Sequence, residues 1–142
     1  MLIGIAADHA GVEMKAFLKQ QLETQGYVLR DFGAFAAESV DYPDFAHPLA
    51  AALSKGELKA GISICGSGNG INMAMNRHRG VRAALCWLPE IARLARAHND
   101  ANVCSLPARF IDNDTALTIV QTFLSTAFEG GRHQRRIEKI EV

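Results

Sequence analysis

Gly61-Ile62-Ser63-Ile64-Cys65-Gly66-Ser67-Gly68-Asn69-Gly70 is the stretch on which the fold turns. Its first half is a short β-favouring run that reads as a buried strand, and its second half has glycine at alternate positions. Those glycines let the backbone turn tightly with its N–H groups pointing outward. A helical pattern follows at Ile71-Asn72-Met73-Ala74-Met75-Asn76, so the positive end of a helix faces the same spot. Cys65 stands at the mouth of this turn, a setting that favours thiolate over thiol. A thiolate beside N–H donors can take a proton and stabilise the oxyanion left behind, or attack a carbonyl as a nucleophile. A cysteine that merely packs in a tight βα turn is the plain alternative, and the glycines attached to it favour the functional reading.

Outward from this centre, strand-like runs at Leu2–Ala7, Tyr27–Phe32, Gly61–Cys65, Arg82–Cys86 and Asn102–Leu106 alternate with helical patterns. That alternation predicts βαβ units and a parallel sheet in an α/β layered domain. The first helix runs from about Val12 to Gln25 with Met14, Phe17, Leu18 and Leu22 on one face, and Gly26 stops it. Asp44 is the expected cap of a second helix reaching Ser54, with Phe45, Leu49 and Leu53 inward. Pro89 suits the first turn of a third, carried by Ile91, Leu94 and Ala95 to about Ala97. Asp112 or Asp114 opens another around Ala116, Ile119, Val120, Phe123 and Leu124. After Gly130-Gly131 the segment from Arg132 reads as a short basic helix that has left the main body.

Composition narrows the partners. The chain has 142 residues, enough for one domain with a real core. Lys plus Arg and Asp plus Glu number 15 each and 49% of residues are hydrophobic, so bulk charge points to neither nucleic acid nor a membrane surface. No apolar stretch is long enough to span a bilayer and no leader pattern opens the chain, so the expected location is the cytosol. Cys65, Cys86 and Cys104 have no CxxC spacing, which fits reduced thiols, with Cys86 and Cys104 expected as packing residues.

Ligands of open α/β sheets bind beyond the carboxyl ends of the strands. Asp8-His9, Asp41-Tyr42-Pro43, Cys65 and Arg109 all follow strands and are expected on one rim. Asp8 and His9 suit a hydroxylated or phosphorylated substrate, with helix capping an equal reading for Asp8 alone. His98-Asn99-Asp100 falls after a helix and before the last strand, at the opposite end of the sheet. His98 is therefore either a structural histidine at a helix C-terminus or a residue serving a neighbouring subunit's site, which would require a dimer. Arg132 and Arg136 are four apart, so a helix puts both on one face beside His133 or Arg135, a pair suited to phosphate. His47 and His78 read as surface residues, and no His, Cys, Asp or Glu spacing requires a metal or other cofactor. A GxGxxG fingerprint fails because position 71 is Ile, and the Gly-Lys-Ser/Thr of a P-loop is absent. The glycine loop thus fits a small oxyanion better than a nucleotide.

Asp8-His9-Ala10-Gly11, Asp41-Tyr42-Pro43, Ile64 to Gly70, Gly80-Val81-Arg82-Ala83-Ala84, His98-Asn99-Asp100-Ala101-Asn102 and Gly130-Gly131-Arg132-His133-Gln134-Arg135-Arg136-Ile137 together resemble the type B ribose-5-phosphate isomerases, along nearly the whole chain. The resemblance implies a Rossmann-like three-layer fold with a five-stranded parallel sheet and an extended helical tail. It also implies a cofactor-free aldose–ketose isomerase acting as a homodimer, whether or not dimers pair into tetramers. On it, residues 1–142 form one domain whose segment 130–142 reaches the partner subunit. Cys65 would move the proton between C2 and C1 of an open-chain sugar phosphate. Ser67 and the amides of Gly66, Gly68, Asn69 and Gly70 would hold the enediolate, with Tyr42 and Asn99 also at the substrate. Asp8 and a partner's His98 would open the sugar ring. His9, Arg109, Arg132 and Arg136 would bind phosphate. Some family members place a Glu base where Ile71 stands, Ser67 replaces a common Thr, and Ser105 to Arg109 replaces a glycine-richer stretch. Isomerisation of a six-carbon or tetrose phosphate, and a binding module without chemistry, are the rival expectations.

Overall fold

A computed structural model describes residues 1–142. Alternation along each strand sorts side chains to two faces, and the two faces differ in size. Ile3, Ile5, Ile62, Ile64, Cys104 and Leu106 project to one side, while Gly4, Ala6, Gly61 and Ser63 occupy the other. The strands are β1 (Leu2–Ala7), β2 (Val28–Asp31), β3 (Ala60–Cys65), β4 (Ala83–Leu85) and β5 (Val103–Pro107), all parallel in the order β2-β1-β3-β5-β4. Order reverses between β1 and β3, which puts the switch point between the carboxyl ends of Ala7 and Cys65.

The helices are α1 (Val12–Thr24), α2 (Pro43–Ser54), α3 (Asn69–Met75), α4 (Pro89–Asn99), α5 (Asn113–Ser125) and α6 (Arg132–Glu138). Helices α1, α4 and α5 cover the bulky face, and α2 and α3 cover the small-residue face, so the domain has three layers. On the second face a Cβ at Gly61 would lie 3.1 Å from Leu53 Cδ1, and one at Gly4 would collide with Leu49. Glycine in these strands is therefore the condition for α2 to settle close. Ser63 and Ser105 face each other in β3 and β5, fully buried, and satisfy one another at 2.8 Å.

Several boundaries differ from the sequence expectation. Helix α2 starts at Pro43 with Tyr42 at its N-cap, so Asp44 lies inside the first turn and does not cap it. Of the two candidates, Asp112 is the cap of α5, its carboxylate accepting from the Thr115 N–H at 2.7 Å. Helix α4 continues through His98 and Asn99, closing with Asp100 at φ 45°, one turn beyond the last periodic apolar residues. Lys15 is buried, which no periodicity announced. It sits against Asp31 with Nζ 2.7 and 2.8 Å from the carboxylate oxygens, so its charge is paired where it leaves water.

The tail has not left the body. Helix α6 packs on α4 of its own chain, burying His133 and Ile137, while Arg132, Arg135 and Arg136 remain exposed. A basic sequence conceals the one buried stripe that seven residues can present.

Gly11 follows the Asp8-His9 turn where α1 leaves the sheet. A Cβ there would stand 2.5 Å from Ile64 Cγ2 and 3.0 Å from Ala7 Cβ. Gly11→Ala is expected to cost about 1–3 kcal/mol by overpacking, read as a fall of roughly 3–10 °C in Tm. An unchanged Tm would mean that α1 can shift freely away from β3.

Candidate active site

Backbone hydrogen bonds draw the rim together. The Asp8 N–H donates to the Ile64 carbonyl at 3.1 Å, so the end of β1 is fastened to the residue before Cys65. Asp8 is buried and its Oδ1 accepts from the Ala10 N–H at 2.9 Å, shaping the 3-10 turn His9–Gly11. Capping thus uses one carboxylate oxygen, and the other makes no hydrogen bond within the chain. The ring of His9 is held through Nδ1, which accepts from the Val40 N–H at 3.2 Å. That bond assigns the proton to Nε2 in the neutral ring, leaving an N–H to offer the rim.

Cys65 ends β3, nearly buried, and its carbonyl accepts from the Ala108 N–H at 2.9 Å. The next carbonyl, Gly66, accepts from the Arg109 N–H at 3.0 Å, tying the glycine loop to the end of β5. A Cβ at Gly66 would meet Arg109 Nη1 at 3.1 Å and Cζ at 3.4 Å, so the guanidinium lies directly over the loop. Its aim is therefore toward the thiol turn, although the stretch before it is poor in glycine. Gly68 has φ 76°, and a Cβ there would lie 3.1 Å from the Leu106 carbonyl carbon, so two constraints converge on glycine. The Ser67 hydroxyl accepts from the Asn69 N–H at 3.2 Å, stiffening the turn as α3 begins. The Tyr42 ring rests on Gly70: a Cβ there would be 2.5 Å from Cζ and 2.8 Å from the hydroxyl. Ile71, where a carboxylate base would otherwise stand, is fully buried in the core and offers the site nothing.

Asp8, His9, Tyr42, Cys65, Ser67, the amides from Gly66 to Gly70, and Arg109 thus share the carboxyl rim. His98, Asn99, Arg132 and Arg136 do not. Helix α4 runs back beside β5, so His98 and Asn99 lie at the amino edge of the sheet, about 16 Å away by the length of β5. The Asn99 carbonyl accepts from Arg82 Nε at 3.1 Å. Arg132 and Arg136 sit on α6, flanking His133.

At that edge the structure gathers residues that sequence spacing does not reveal. The His98 and His133 rings stack with centroids 4.3 Å apart and planes 12° from parallel. Glu129 Oε1 lies 3.8 Å from His98 Nε2 and 3.7 Å from His133 Nε2. Burial, His98 and the flanking arginines hold the His133 imidazole below its ordinary pKa, against the opposing pull of Glu129. Glu129 and His133 are four apart, but only the fold brings them to His98. His47 and His78 are also not solitary, with Nδ1 and Nε2 2.7 Å apart on the surface.

No helix is long and apolar enough to cross a membrane. Cys65 lines none of the three main cavities; the largest, of about 610 Å³, lies among Asn76, Arg77, Arg82 and Asn99.

Fold and rim define an α/β domain with a thiol and a ring of amides at its switch point, the equipment of a proton-transfer enzyme acting on a small polar substrate. Residues 3–140 match the family model described as Ribose/Galactose Isomerase, and the chain belongs to this family. It is 40% identical to ribose-5-phosphate isomerase B of Escherichia coli (strain K12) over 138 residues, covering 97% of this chain and 93% of the relative. The crystal structure of a ribose 5-phosphate isomerase from Thermotoga maritima superposes with a TM-score of 0.97 at 50% identity, covering 99% of this chain and 97% of that one. Ribose-5-phosphate isomerase B from Mycoplasma genitalium, solved with bound ribulose-5-phosphate, gives a TM-score of 0.94 at 43% identity over 98% of this chain and 93% of that one.

Because the Tyr42 ring occupies the space above Gly70, Gly70→Ala is expected to displace it. kcat/KM for the isomerase substrate should fall roughly tenfold or more, with little change in Tm. Unaltered kcat/KM would remove Tyr42 from the substrate's surroundings.

Proposed function

We propose that the chain interconverts ribose 5-phosphate and ribulose 5-phosphate. The observation that supports this most is the placement of Cys65: a thiol ending the central strand at the switch point, under Arg109 and beside the Gly66–Gly70 amides. The name of the Mycoplasma genitalium structure, with its bound ribulose-5-phosphate, agrees with the substrate.

Ribose 5-phosphate closes as a furanose, so the ring must open first. Opening removes the proton of the C1 hydroxyl and delivers one to the ring oxygen as the C1–O4 bond breaks, leaving the C1 aldehyde. Asp8 and a partner's His98 serve this step. The Cys65 thiolate then takes the C2 proton, the electron pair moves toward the C1 carbonyl, and an enediolate forms. Amides of Gly66, Gly68, Asn69 and Gly70 hold its negative charge, with the Ser67 hydroxyl near O1 and O2. The O2 hydroxyl proton passes to O1 as C2 becomes the carbonyl, and return of the Cys65 proton to C1 gives the ketose. His9 and Arg109 from one subunit, and Arg132 and Arg136 from the other, hold the phosphate, while Tyr42 and a partner's Asn99 border the sugar.

A homodimer is part of this proposal. His98 and the tail arginines lie at the far edge of their own subunit, so only a second copy can bring them to a Cys65 turn. Phe110 and Trp87, 76% and 48% exposed, follow β5 and β4 at the same rim as Cys65. Met73 on α3 and Leu88, next to Trp87, are exposed as well. Large exposed apolar side chains near the rim suit a covering subunit. The helix that reaches the partner does so from its seat on α4. Three thiols, all buried and free, suit the reducing cytosol as the place of work.

Cys65→Ala is expected to lower turnover of ribose 5-phosphate about a thousandfold while sugar-phosphate binding by calorimetry persists. Near-normal turnover would remove Cys65 as the base. Mixing Cys65→Ala chains with His98→Ala chains should restore activity in hybrid dimers, each having one intact site. No recovery would mean that each site is built from a single chain.

A further inference from the structure

We propose that Glu129 is a positioning residue that holds the imidazole of His98 for ring opening. This rests on the reading of His98 given above. Glu129 Oε1 faces the Nε2 atoms of both stacked imidazoles, 3.8 Å from that of His98 and 3.7 Å from that of His133. His133 is buried, and its Nε2, without a hydrogen-bond partner within the chain, faces the Glu129 carboxylate at 3.7 Å. His98 is half-exposed and stacked face to face on this fixed ring. The partnership therefore leaves one imidazole anchored and the other presented outward.

The backbone around Glu129 is tied to α4 on purpose-built bonds. The Glu129 N–H donates to the Ala97 carbonyl at 3.0 Å, immediately before His98. Arg96 Nε donates to the Thr126 carbonyl at 3.2 Å, and its Nη1 reaches Asp100 Oδ1 at 2.8 Å and the Ala101 carbonyl at 2.6 Å. One arginine thus joins the end of α4 to the segment that carries Glu129. Gly130 and Gly131, both at positive φ, turn the chain so that His133 on α6 meets His98 from the other side.

A shared metal ion is a poorer occupant. The three ligand-type atoms lie within 4.8 Å of one another, against roughly 3.4 Å between ligands of a tetrahedral zinc site. Arg132 and Arg136 add positive charge beside His133. A carboxylate that orients imidazoles fits both observations, in the way an acidic residue fixes a catalytic histidine.

Two readouts separate positioning from a structural role. The first is isomerisation starting from ribose 5-phosphate, which needs ring opening. The second is entry of deuterium from D2O at C1 of ribulose 5-phosphate, an open-chain ketose, which needs only Cys65 and the amides. For Glu129→Gln the first is expected to fall at least about tenfold and the second to stay within about twofold of wild type, matching the pattern of His98→Ala. Deuterium entry also shows that the variant is folded and its thiol site intact. Unchanged isomerisation, or an equal fall in both readouts while His98→Ala remains selective, would overturn the role of Glu129. An equal fall in both readouts for His98→Ala would instead overturn the assignment of ring opening to His98.

Discussion

The parallel pairing of β1 with β3, in register from Ile3 against Ala60 to Ala7 against Ile64, is the constraint from which the site follows. Once Ala7 lies beside Ile64, the Asp8 N–H reaches the Ile64 carbonyl, and an acidic turn and a thiol turn are neighbours at one edge. Strand β2 lies outside β1 and β5 outside β3, so successive chain segments leave in opposite directions and open a crevice between them. Residues separated by more than fifty positions meet there through a ladder that also forms the middle of the core.

The same pairing sets limits on size. Helix α2 sits close to the sheet because Gly4 and Gly61 leave room for Leu49 and Leu53, and Tyr42 at its N-cap is thereby lowered onto Gly70. Gly68 has its carbon against the Leu106 backbone, while Gly66 lies under Arg109. Glycines of the turn therefore do two jobs: they admit the positive φ that the turn needs at Gly68, and they let β5 and its arginine close over the thiol. A side chain at any of these positions would push the loop amides away from Cys65.

Most of the rim was legible in sequence because its residues, Tyr42 apart, stand at or just after the end of a strand, and parallel topology sends all such positions to one edge. Asp8, Cys65 and Arg109 needed only that rule. The alternating glycines were equally readable, since few other structures call for them. Lys15 was not, because its partner Asp31 lies in another element and period alone assigns a lysine to water. The seat of α6 escaped for a related reason: His133 and Ile137 make too narrow a stripe to stand out among Arg132, Arg135 and Arg136. Glu129 is a polar residue in a connecting segment until the fold places two imidazoles beside it. Helix α4 also ran further than its apolar period, since the Arg96–Asp100 ion pair closes its last turn, a contact no apolar period announces.

The proposed mechanism needs two separate anion sites, amides for the enediolate and arginines for the phosphate. A crystal structure of Cys65→Ala soaked with ribose 5-phosphate tests that separation most directly. It should show C1 and C2 of the sugar above Gly66 to Gly70, with the phosphate between His9 and Arg109 of one subunit and Arg132 and Arg136 of the partner subunit. A phosphate seated on the Gly66–Gly70 amides would contradict it, turning the loop back into a phosphate cradle and leaving the enediolate without its donors.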